Sequence, residues 1–109
     1  MRIWDIPPDL MCRNHLLGEH REIHAVWSII TNNKKAYSNH PEIMRWRGRL
    51  KALYLRHEAL VTEMAARGYK HHTHMDPELA TGEAVQTEFV ATYEEQVRIL
   101  RSRGCECRV

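Results

Sequence analysis

The chain has 109 residues, of which 43% are hydrophobic, 28% charged and 7% aromatic. That is one domain's worth of chain, able to hide roughly two-thirds of its unfolded surface. It excludes a two-domain dinucleotide enzyme, and the lack of an apolar run of about 18 residues excludes a membrane span. The net charge of +2 is mild but uneven: residues 1–75 carry 12 Lys/Arg against 7 Asp/Glu, and residues 76–109 carry 4 against 7. The basic part suits a phosphate-facing surface; a solvated helix face is the plain alternative.

Residues 1–7 read as an extended lead-in, because Pro7 and Pro8 stop any helix before them and Pro8 suits a first helical turn. From about Pro8 to Thr31 the pattern is helical, with Leu16, Ile23, Val26, Trp27 and Ile30 on one stripe. Asn32-Asn33 ends it, Asn being able to take a left-handed cap. Ser38-Asn39-His40-Pro41-Glu42 starts a second helix that runs to Arg67. Its stripe is Ile43, Trp46, Leu50, Leu53, Leu60 and Met64, and Gly68 caps it. Trp46, set between Arg45 and Arg47, reads as a core anchor rather than a base wedge.

Asp76-Pro77-Glu78-Leu79 suits one helical turn, broken by Gly82. A third helix starts at Thr92, whose T-x-x-E spacing to Glu95 is that of a capping box, and ends at Gly104 with Val97 and Leu100 facing inward. No segment alternates with period two. The expected fold is all-α: a compact single domain, residues 1–109, of three main helices, with the extended N-terminal segment inserted near the first two.

Three cysteines are present: Cys12 alone and Cys105-x-Cys107 at the C-terminal end. Without a second pair the zinc signal is weak, and the chain reads as cytoplasmic with free thiols. His20 and His24 sit at i, i+4, and His71, His72 or His74 are candidates for a third imidazole, but the H-E-x-x-H glutamate is missing. No metal and no cofactor are expected.

The densest polar run is Asn14 to His24. His15, Glu19 and Glu22 fall at i, i+4, i+7 on one helical face, with Arg21 on the next row. Acid, imidazole and guanidinium together can hold phosphate and move protons; a solvated face with local ion pairs is the other reading.

Met1-Arg2-Ile3 followed by His15-Leu16-Leu17-x-Glu19-x-Arg21-Glu22, with Arg67-Gly68-Tyr69 at the end of the second helix, resembles the pyrimidine-dimer DNA glycosylase family of the phage endonuclease V type. The resemblance is strongest over residues 1–30 and holds over 49–69. It implies a compact three-helix fold and a combined glycosylase and abasic-site lyase. The nucleophile it implies is the α-amine of the first residue, here Met1, which the bulky Arg2 keeps from removal. Glu22 matches the essential carboxylate. Arg2, His15 and Arg21 match positions that hold phosphates and shape the site.

Duplex binding by the same logic falls to His24, Lys34, Lys35, Arg45, Arg56 and His57. The implied partner is double-stranded DNA bound by a monomer at the nucleoid. Two departures stand out. Ala25 replaces an arginine of the family, and Arg103-Gly104-Cys105-Glu106-Cys107-Arg108-Val109 replaces an aromatic-rich tail. The second puts dimer specificity in question, not the amine chemistry. The competing reading is a non-catalytic helical DNA-binding or interaction module on the same scaffold.

Overall fold

A computed structural model describes residues 2–70 and 73–109. The fold is all-α: α1 (Arg13–Thr31), α2 (Pro41–Met44), α3 (Leu50–Ala66) and α4 (Tyr93–Ser102), with short 3-10 turns at Pro8–Leu10 and Pro77–Leu79. Among the described residues there is no strand, only an isolated bridge between Arg49 and Gly82. Among the described residues no helix is long and apolar enough to cross a membrane.

The first helix starts later than its periodicity suggests. Pro8–Leu10 forms only a 3-10 turn, Met11 is extended, and α1 begins at Arg13. Its buried stripe holds Leu16, Ile23, Val26, Trp27 and Ile29, together with Glu19. Asn33 closes the end with a left-handed φ of 50°.

The expected second helix is two helices, and glycine is the reason. Gly48 sits at φ +74° and cannot continue a right-handed helix. The break lets the 81–83 segment dock on the start of α3. There the otherwise unpaired N–H groups of Lys51 and Ala52 donate to the carbonyls of Thr81 (2.8 Å) and Glu83 (3.0 Å), and Glu83 N–H donates to the Gly48 carbonyl (2.9 Å). A Cβ on Gly82 would collide with that carbonyl, so only glycine fits the approach. Gly68 ends α3 at φ +81° as expected.

In α4, Glu95 N–H donates to Thr92 Oγ1 at 3.1 Å, the cap that the T-x-x-E spacing predicts. Leu100 is buried and Val97 partly so.

The core gathers Ile3, Trp4 and Ile6 of the lead-in with Leu16, Ile23 and Val26 of α1, Ile43 and Trp46 around α2, Leu53, Leu60 and Met64 of α3, and Leu100 of α4. Trp46 is thus a core anchor, its indole N–H donating to Glu42 at 3.2 Å. Ile3, Trp4 and Ile6 thus make this stretch of the lead-in interior chain. That makes its backbone N–H groups a problem, since a buried unpaired donor is costly.

Candidate active site

Side chains from three helices solve that problem one residue at a time. Ile3 N–H donates to Glu42 Oε1 (3.2 Å), Trp4 N–H to Glu19 Oε1 (3.0 Å) and Asp5 N–H to Gln96 Oε1 (2.7 Å). Arg45 closes the set from the other side, its guanidinium donating to the Ile3 carbonyl at 2.8 Å. Each carboxylate is itself held. Glu19, 2% exposed, accepts from Arg56 Nε (2.7 Å) and Nη2 (3.0 Å). Glu42 accepts from Arg45 Nε at 2.8 Å. Burial pushes the Glu19 carboxyl above its ordinary range, and the charge and hydrogen bonds of Arg56 pull against that.

This lashing carries Arg2 and Trp4 to a cleft of about 360 Å³ on α1, lined also by Asn14, His15, Gly18, Glu19, Glu22 and Arg103. The α1 contributors recur at helical spacing along one face. Trp4 forms the apolar floor. The guanidinium carbons of Arg2 and Arg103 lie 5.1 and 5.7 Å from its ring centre, and the His15 ring meets it edge-on at 5.8 Å. Burial, with the Arg103 charge second, pushes His15 below its ordinary 6.5, so the ring is neutral at neutral pH. Gly18 leaves the wall open: a Cβ there would meet only Arg21, at 4.0 Å.

Arg2, His15 and Glu22 thus come together in one cleft, and Arg21 stands exposed at its edge. Met1 lies outside the described residues, as do His71 and His72. Lys34 and Lys35 are exposed on the loop after α1. Four expected DNA contacts, Arg45, Arg56, His57 and His24, lie elsewhere. Arg45 is 6% exposed and spends its guanidinium on Glu42, Asp5 and backbone carbonyls, so it is a core strut and not a DNA contact. Arg56 is engaged by Glu19. His57 is 1% exposed and equally out of reach of a duplex.

His57 instead completes a group with His20 and His24. His24 Nε2 lies 3.3 Å from His20 Nε2 and 3.1 Å from His57 Nε2, while His57 Nδ1 faces Glu58 at 3.1 Å. Three convergent imidazoles with a carboxylate behind one of them could hold a divalent metal. A second group of ligand type is Cys12, His15, Cys105 and Cys107.

Sequence reasoning missed Trp4, Gly18 and Arg103 in the cleft, and missed the burial of Glu19. The signal for Glu19 was available: it lies on the α1 row between His15 and Ile23, next to the apolar stripe. Arg103 had none, since it follows a helix end far away in sequence.

The family model described as Pyrimidine dimer DNA glycosylase matches residues 1–77, which contain every α1 and lead-in residue of the cleft. No curated protein and no solved structure matches the chain.

Proposed function

From the premise that this chain belongs to the pyrimidine dimer DNA glycosylase family, we propose that it is a DNA repair glycosylase with abasic-site lyase activity, residues 1–109 forming the catalytic domain. The α-amine of Met1 is the nucleophile. An α-amine has a pKa of about 7.7–8.0 against about 10.4 for lysine, so a useful fraction is neutral at pH 7. Cationic neighbours favour the neutral form of an amine further, and Arg2 follows it in sequence.

The neutral amine attacks C1′ of the damaged nucleotide. The C1′–N bond to the base breaks, the base leaves with the electron pair and takes up a proton, and the sugar opens to an imine with the amine. Glu22 stabilises the cationic intermediate and moves the protons at C1′ and C2′. Loss of a C2′ proton then expels the 3′ phosphate, and water releases the amine. Arg2, His15 and Arg21 hold flanking phosphates, and Lys34 and Lys35 extend the contact along the duplex. The target nucleotide is flipped out of the stack to expose C1′. The chain acts as a monomer on double-stranded DNA, at the nucleoid.

The observation that carries this reading is the convergence of Arg2, His15 and Glu22 on one cleft, next in sequence to the amine that must react. The test is strand cleavage of duplexes carrying a cyclobutane dimer or an abasic site. Glu22→Gln should lose at least about 100-fold in turnover. DNA binding with no cleavage of either substrate favours a binding module on the same scaffold instead.

A further inference from the structure

His15 has two sides. Its ring lines the cleft, while Nδ1 lies 3.1 Å from Cys12 Sγ and 3.4 Å from Cys107 Sγ. With Cys105 Sγ, the four ligand atoms lie within 4.8 Å of one another. All three thiols are free. We propose that Cys12, His15, Cys105 and Cys107 bind one zinc ion in a tetrahedral three-sulfur, one-nitrogen site.

The donor set is of the structural zinc type. Bond lengths of about 2.3 Å to sulfur and 2.0–2.1 Å to nitrogen place tetrahedral ligands about 3.5–3.8 Å apart. The two sulfur-to-Nδ1 separations, 3.1 and 3.4 Å, are slightly shorter, and no pair of the four atoms is more than 4.8 Å apart, so small side-chain shifts seat the ion. Hydrogen bonding alone explains the group poorly. A single Nδ1 has one proton or one lone pair, yet two sulfurs crowd it. The backbone supplies an outer contact: Cys12 N–H donates to Cys107 Sγ at 3.1 Å, which steadies a metal-bound thiolate. Cys105 gives up its present contact with the Leu100 carbonyl to join.

The tail is already laid in place for this. Arg108 N–H donates to the Leu10 carbonyl and its guanidinium to the Asp9 carbonyl, both at 2.6 Å. The ion would pin the segment after α4 to the start of α1. It would thereby fix the His15 ring from behind and hold Arg103, two residues before Cys105, at the cleft. Cys105 and Cys107 lie beyond the residues that the family model matches, so the site is a property of this chain's own tail. It stands whether or not the chain cleaves DNA.

The test uses the full chain without a polyhistidine tag, purified under reducing conditions, stripped with a chelator and titrated with cobalt(II). One equivalent should give a thiolate-to-cobalt charge-transfer band with tetrahedral ligand-field absorption, and one equivalent of zinc should displace it. Cys12→Ser and Cys107→Ser should lose the charge-transfer band. His24→Ala, in the other histidine group, should keep it. If the serine variants do not fold, the parent chain still decides the matter through its cobalt spectrum and the zinc protection of its three thiols from alkylation. No charge-transfer band at saturating cobalt, or thiols that react equally fast with and without zinc, overturns the proposal. So does a disulfide among the three in zinc-replete, reduced protein.

Discussion

The N–H of Trp4 donates to Glu19 Oε1 at 3.0 Å, and the same carboxylate is held by both Nε and Nη2 of Arg56. One buried acid therefore ties the lead-in to α1 and α3 at once. Glu19→Ala removes all three bonds and strands Arg56, whose side chain is only 15% exposed. Breaking a buried pair from one side costs about 3–5 kcal/mol. Glu19→Gln keeps an acceptor for Trp4 and should cost clearly less. Chemical denaturation of the two variants checks the order. Equal losses would mean that the backbone anchor counts for nothing.

Gly18 is a helical glycine whose wall faces the cleft, with no neighbour close enough to obstruct a Cβ. Gly18→Ala should stabilise the chain by about 0.5–1 kcal/mol, since glycine is a poor helix former. Gly18→Leu should still fold but fill the cleft, cutting activity at least about tenfold. Thermal unfolding and a cleavage assay, run side by side, separate the two effects. A fully active Gly18→Leu would move the substrate site elsewhere.

Arg45 and the Lys34-Lys35 pair make opposite predictions although all were expected to touch DNA. Arg45→Ala opens the Glu42 and Asp5 pairs in the interior and should lose about 3–5 kcal/mol of stability. Where folded, it should bind a duplex with an unchanged salt dependence. Lys34→Ala with Lys35→Ala should leave stability within about 0.5 kcal/mol. That double variant should reduce the slope of log affinity against log salt by about 2.

Burial pushes His57 below its ordinary 6.5; Glu58 works against the shift and the charge of His74 adds to it. His20 and His24 pack on the same ring. The native state thus resists protonation that the unfolded chain accepts. This contribution is complete above pH 6.5 and is lost as pH falls through the lowered value, by up to about 1.4 kcal/mol per pH unit for one proton. In chelator-treated protein the unfolding free energy should fall as pH drops below 6.5, and His57→Gln should flatten that slope. An unchanged slope in the variant assigns the effect to other groups.

The fold was legible where local chemistry decides it. The stripe from Leu16 to Trp27, the Thr92–Glu95 cap and the Gly68 stop all act within a few residues, and all stand in the structure. The split of the second helix was not legible, because Gly48 breaks it in concert with Gly82, 34 positions away. The cleft was half legible. Helical spacing brings His15, Glu19 and Glu22 to one side of α1, but spacing does not say that Glu19 turns inward while Glu22 lines the opening. Arg45 and His57 misled for the same reason: their polar side chains suggested a surface, and their partners Asp5 and His24 came from other elements. The cysteines looked unmatched because Cys12 and Cys107 meet only after the tail folds back on the start of α1.

The proposed nucleophile is the α-amine of Met1. Borohydride reduction during incubation with an abasic-site or dimer-containing duplex should trap a covalent adduct, and peptide mass mapping should locate it on the Met1 peptide, at the α-amine. Blocking that amine with an added N-terminal segment should abolish the adduct while leaving DNA binding. An adduct on a lysine, or full trapping by the blocked protein, would contradict the account.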